Sequence, residues 1–400
     1  GSILAGSAVT TPGQIGGVSV RGDVEAGAVL EAGSARSITV NGDWMGLLEA
    51  GYAPQPTAVR IDGDLGGDLT LDGAATLTVG GSQQGGSTVS IGMDLMSLQV
   101  GGQASGHIFV DGRGGALRLG SLIDGVITTG FDLQSLTIAG AMSNSLVQVG
   151  VSRGYDRRFA DGTTVLPDGT VLTADYGETG RMATLGSLSV GDVMNYSIVA
   201  AGGHLQRASI RNGMTRSSLS SGLNLGSDAI ADIIADATPL DGVAELDAAR
   251  GGADRQLLRG DVGAVTVGGT GMIDSAVSAG VDAGADGDFA DQADNGVAAS
   301  LTGGASSIGT VRADADGFTA IVADAGIRQA PVGAIVNDNV TYAVSDIATI
   351  DPADEVGTAI GRTPAVFTAF GGQTLTVTLI GDGQVVLYDE AGGDTDNMLA

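Results

Sequence analysis

One phrase recurs along this chain about every 20 residues: an apolar–x–apolar strand closing on glycine, a short turn, then a second apolar strand closing on another glycine. The first strand reads GVSVRG, SITVNG, AVRIDG, TLTVGG, SLQVGG, SLTIAG and AVTVGG. Its alternating pairs are Val18/Val20, Ile38/Val40, Val59/Ile61, Leu77/Val79, Leu98/Val100, Leu136/Ile138 and Val265/Val267. Alternation with period two, with β-branched residues on one face, marks a strand that buries one side. The second strand closes at Gly33, Gly51, Gly73, Gly92, Gly112, Gly130 and Gly150, at spacings of 18, 22, 19, 20, 18 and 20 residues. Three residues before the closing glycine sits Leu30, Leu48, Val89, Ile127 or Val147, and the phase returns at Val199, Leu219 and Val277. Two rungs, ending LTLDG and IFVDG, are shifted by one residue. A third apolar residue often follows the first strand's glycine by two: Val24, Trp44, Leu65, Met142 and Val193.

A single rung cannot bury its own apolar face. Stacking rungs at about 4.8 Å pairs every backbone with its neighbours and turns like residues into internal columns. The expected fold is therefore all-β: a parallel β-solenoid of about 20 residues per rung, rather than an antiparallel sandwich or barrel. About eleven rungs would give a rod on the order of 50 Å. The left-handed hexapeptide pattern is absent, which favours a right-handed coil. The glycines are expected at the sharp turns, often at positive φ.

The array spans 1–326, with insertions at 151–184, 223–260 and 281–304. Tyr155, Phe159 and Tyr176 concentrate scarce aromatics in the first insertion. Ile230, Ile233, Ile234 and Leu246 give the second a helix-like spacing. Insertions in solenoids lie on a flank and are where binding function is often grafted. Residues 327–400 form a C-terminal β-rich segment, with a hairpin expected around Gly381-Asp382-Gly383, the start of a small sandwich. Both ends read as cut from a longer chain or completed by a neighbour.

Composition narrows the function. The net charge is −28, from 46 acidic and 18 basic residues, which disfavours nucleic acid and anionic membrane partners. Every basic residue is arginine, so lysine Schiff-base and P-loop chemistry are excluded, and the bias fits a high-GC bacterium. No cysteine is present, which removes disulfides and thiolate sites, and no apolar run is long enough to span a bilayer.

The acidic stretch DAGADGDFADQADN offers Asp282, Asp286, Asp288, Asp291 and Asp294 as oxygen ligands for Ca²⁺, the one cofactor expected. Its spacing matches neither an EF-hand nor a calcium β-roll, so a solvated loop is the competing reading. Asp314 and Asp316 repeat the idea more weakly. His107 and His204, the only histidines, lie near turns without ligand-spaced partners. No G-x-S-x-G elbow accompanies the serines. A glycosidase or lyase would need paired carboxylates on the solenoid face, for which Asp62, Asp64 and Asp68 are candidates, though aspartate at turns is favoured for local hydrogen bonding. Outward residues varying among Ser, Thr, Arg and Gln do not suit an ice-binding face.

At AVTVGG, SLTIAGAMSNSLVQVG and SLSVGDVMNYSIVAAG the chain resembles the glycine-rich β-helix repeats of large bacterial extracellular proteins, of adhesin, autotransporter-passenger or surface-layer type. That resemblance implies export to the cell surface, a structural rather than enzymatic role, and partners that are further copies or other surface proteins. The alternative is a β-helix that binds or cleaves polysaccharide beside the 151–184 insertion.

Overall fold

The computed structural model of the chain describes residues 1–154, 180–226, 256–282 and 306–315, most of 319–338, and short pieces elsewhere up to residue 399. Two parallel sheets run from residue 8 to residue 338. Sheet I stacks thirteen strands, from Ala8–Ile15 to Ile335–Asp338. Sheet II contains sixteen, with a main path from Val18–Val20 to Gly326–Ile327. The chain passes through one sheet and then the other, so each circuit is one coil of a parallel β-solenoid. Thirteen strands at about 4.8 Å make a rod roughly 58 Å from first strand to last.

The repeat phrase sets the register. Val18, Ile38, Val59 and Leu77 pair in succession across sheet II, and Val20, Val40, Ile61 and Val79 do so beside them. Across sheet I the column is Leu30, Leu48, Leu69, Val89, Ile108 and Ile127. These residues point inward and form one continuous apolar core. A one-residue slip would turn each of them to solvent, so the columns lock the register coil by coil.

A third interior column fills the corner after sheet II. It runs through Ile3, Val24, Trp44, Leu65, Gln83 and Ala104 as paired bridges, then Leu122, Met142, Met194, Met214, Met272 and Ala315. Met194, not Val193, occupies its coil's place in this column; Val193 is half-buried beside it. The insertion between residues 143 and 193 leaves the column unbroken because Met142 pairs directly with Met194. Methionine suits this irregular corner because its unbranched chain adapts to the gap it is given.

The closing glycines meet the expected need at some coils and a different one at others. Gly33, Gly51 and Gly130 do not have positive φ, whereas Gly150, Gly222 and Gly280 do. A Cβ at Gly51 would collide with the carbonyl of Gly33, and one at Gly33 with the carbonyl of Pro12. Close approach of successive coils excludes the side chain. Near the end of the chain, Thr374–Ile380 and Gln384–Asp389 pair antiparallel as a hairpin within a four-stranded sheet.

Candidate functional site

Of the three acids considered for paired carboxylates, Asp64 and Asp68 accept backbone amides and Asp62 faces Arg60. At the turn after sheet II, Asp43 N–H donates to Asp23 Oδ1 (2.9 Å), Asp64 N–H to Asp43 Oδ1 (2.8 Å), and Ser82 N–H to Asp64 Oδ1 (2.7 Å). Each carboxylate thus satisfies an amide that the strand ladder leaves unpaired, one coil further on. Asp68 does the same for the Thr88 amide (2.8 Å), and Asp62 ion-pairs with Arg60 (2.7 Å). His204 joins this role: its Nδ1 accepts the Asp261 amide at 3.0 Å. His107 stacks on Phe109, with centroids 5.5 Å apart, and burial lowers its pKa while Asp68 opposes the shift.

Of the five candidate calcium ligands, Asp282 lies in the short strand Val281–Asp282, paired with Gly296–Val297. Asp286, Asp288, Asp291 and Asp294 lie outside the described residues, as do Asp316, Tyr155, Tyr176 and Leu246. Asp314 is exposed, and its carbonyl accepts the Met272 amide at 2.7 Å. Among the described residues, no three potential ligands converge.

Where described, the first two insertions fold back on the outside of sheet I. Phe159, Leu223, Leu225, Ile230 and Ile233 pack there against Phe109, Val126, Leu146, Ile198 and Ala276, forming a second apolar cluster separate from the interior. Arg153 fastens the first insertion. Its side chain is 4% exposed and grips Asp111 through Nε (3.0 Å) and Nη2 (2.8 Å), while Nη1 donates to Ser90 Oγ (3.0 Å). The same guanidinium lies 5.3 Å from the Phe109 ring centroid, and Phe159 meets that ring edge-on. Arg157 pairs with Asp72 at 2.7 Å. Asp72 and Asp111 are the extra residues of the two rungs that looked shifted, LTLDG and IFVDG. Leu69 and Ile108 stay in the common column, so the extra residue falls in the turn, where it meets the arginine. Gln148 fixes the second insertion: its Nε2 donates to Leu223 O (3.4 Å) and its Oε1 accepts the Leu225 amide (3.3 Å).

Sequence reasoning missed a column of serines at the corner entering sheet I. Ser145, Ser197, Ser217 and Ser275 are buried. Each Oγ accepts an amide from the coil before it, as in Ser197 N–H to Ser217 Oγ (3.1 Å), and donates to the carbonyl two residues back. Each serine follows a residue at positive φ: Asn144 (49°), Tyr196 (47°), Arg216 (43°) and Asp274 (47°). The repeated pattern NS, YS, RS, DS before an apolar strand was the available signal.

The outer face of sheet II differs from the rest of the surface. None of its strands contains an aspartate or glutamate, and the charged residues within them are Arg60, Arg118, Arg207 and Arg312. The central outward column, from Ser19 to Arg312, reads Ser, Thr, Arg, Thr, Gln, Arg, Thr, Ser, Ser, Thr, Arg in unbroken register. Compared with protein-family models, curated proteins and solved structures, the chain matches none.

Proposed function

We propose that this chain is the stacked-coil rod of a bacterial extracellular or cell-surface protein: a scaffold, adhesive, surface-layer or filament element rather than an enzyme. The observation that carries this reading is the use to which the distinctive residues are put. Asp23, Asp43, Asp64 and Asp68 cap neighbouring coils, Asp72 and Asp111 hold an insertion, and the insertions' apolar residues cover sheet I. Such an allocation suits stiffness and persistence. The absence of cysteine and the net charge of −28 fit an exported, highly soluble surface protein. Self-association or partnership with other surface proteins belongs to the same reading, with Ca²⁺ bridging through the acidic 281–304 segment.

Electron microscopy of the isolated protein, with and without a calcium chelator, tests this. Ordered filaments or lattices are expected, and their loss on chelation would assign calcium to assembly. Monodisperse single rods under both conditions would remove self-assembly from the proposal.

A further inference from the structure

We infer that the outer face of sheet II is a binding track for an acidic linear polysaccharide, one bearing carboxylate or sulfate groups along a hydroxylated chain. The inference goes beyond the scaffold reading and does not depend on self-assembly. Three observations carry it.

The first is charge. In a chain with 46 acids and 18 bases, the strands of this face hold four arginines and no acid. Arg21 and Arg211 extend the set one residue past a strand end, in a column that also holds Asp62. All six are exposed. Arg60 pairs with Asp62; Arg21, Arg118, Arg207, Arg211 and Arg312 make no ion pair or side-chain hydrogen bond among the described residues. A guanidinium presents a planar fork that matches carboxylate or sulfate oxygens.

The second is chemistry between the arginines. The central column supplies only hydroxyls and the Gln99 amide there, groups that can donate to and accept from a polyhydroxylated chain. The central column carries none of the aromatic and aliphatic anchors that organise a protein–protein interface; Met96 and Ile273 are exposed elsewhere in the sheet's strands. The column also lacks the aromatic platforms on which nucleic-acid bases stack.

The third is shape. The column from Ser19 to Arg312 crosses ten strand steps, about 48 Å at roughly 4.8 Å each, and is continuous because every step is in register. Arg60 and Arg118 stand three steps apart, about 14 Å. Only an extended partner can meet arginines spread along the whole rod, and its affinity then accumulates from many weak contacts. Asp23, Asp43 and Asp64 border the track on one side, with Oδ1 turned along the axis to accept amides. They narrow the strip and penalise a bulky polyanion that would overlap them. At about 0.15 M salt the Debye length is near 8 Å, so the remote negative charge of the rod is largely screened from a chain lying on the arginines.

The test is affinity gel electrophoresis of the full chain at physiological salt, in gels containing polygalacturonate or, as the neutral control, dextran. The protein should be retarded by polygalacturonate and not by dextran. Replacing one exposed arginine should weaken retardation about threefold, and Arg118→Gln with Arg312→Gln about tenfold. Arg157→Gln, the same charge change on the insertion over sheet I, should leave retardation unchanged. Equal retardation by dextran, or an unaffected double variant with an unaltered circular dichroism spectrum, would overturn the inference. Sedimentation of the protein alone supplies a second arm: concentration-dependent mass abolished by the same double variant would show that the face mates with another copy of the chain, and would overturn it too.

Discussion

The coils before residue 105 and those after it share one interior and differ outside. In Leu47–Ala50 the burial alternates, with Leu48 and Ala50 inside and Glu49 in solvent. In Ile198–Ala201 all four residues are buried. Both strands belong to sheet I and occupy equivalent places in its register. The outward residues explain the contrast: in one column Glu31 and Glu49 give way to Phe109, Gln148 and Ala200, and in the other Val29, Leu47 and Asp68 give way to Val126, Leu146, Ile198, Ala276 and Ala320. The inward columns specify the solenoid and the outward ones specify what can be laid over it. A strand buried on both faces loses its alternation and reads as a near-continuous apolar run.

The sharpest way to break this contrast is to truncate one outward residue in each half. Ile198→Ala should destabilise its coil by about 2–4 kcal/mol, because the side chain is fully enclosed. Leu47→Ala, half-buried, should cost under about 1 kcal/mol. Hydrogen exchange resolved by coil reads both, since a repeat array need not unfold in one step. Equal losses would mean that the outer cluster contributes no stability.

Next comes the latch. Arg153→Met strands the Asp111 carboxylate, whose side chain is 23% exposed, so the expected cost is about 2 kcal/mol rather than the full penalty of a buried charge. Cleavage within 151–184 by a dilute protease should accelerate, and adding Asp111→Asn should recover part of the loss. Unchanged cleavage would show that the apolar contacts alone hold the insertion.

Smaller effects are expected at the serine corner. Ser197→Ala removes one acceptor and one donor and should cost about 1 kcal/mol. Tyr196→Asn should raise stability by up to about 1 kcal/mol, because asparagine tolerates the left-handed backbone that tyrosine is forced into. A loss of stability in that variant would mean that the ring's contact with Arg216 outweighs the backbone strain.

The smallest effect sits at the boundary between the halves. His107 has its folded pKa lowered from 6.5 by burial, so the unfolded chain takes up the proton first. The stability of the neutral ring is therefore present above about pH 6.5 and declines as the pH falls below it. His107→Gln should flatten this part of the stability–pH profile; an identical profile would place the titration elsewhere.

Fold and register were legible because period-two alternation and the glycine spacing both follow from stacking. Val18, Ile38 and Val59 could be aligned by eye and are aligned in space. The turn position of the aspartates was legible, but not their partners: local bonding was expected, and each carboxylate instead meets an amide 18 to 21 residues further along, on the next coil. The cladding of sheet I was not, since Phe159 and Ile230 reach Phe109 and Ile198 across long stretches of chain and nothing in their own segments names that target. The latch left a trace in the two shifted rungs, but its meaning depended on knowing that Arg153 returns to Asp111. The polar column on sheet II was visible residue by residue, yet its uniformity emerges only when eleven coils are laid side by side.

The two kinds of corner cap imply an order in time. At the aspartate corner, a finished coil offers acceptors to amides of the coil that follows. At the serine corner, the newcomer's hydroxyl reaches back to an amide its predecessor could not satisfy. Each coil is thus guided into place by the one before and completed by the one after. A chain emerging from its N-terminus would fold as a moving front, and the vulnerable part at any moment would be only its most recent turn.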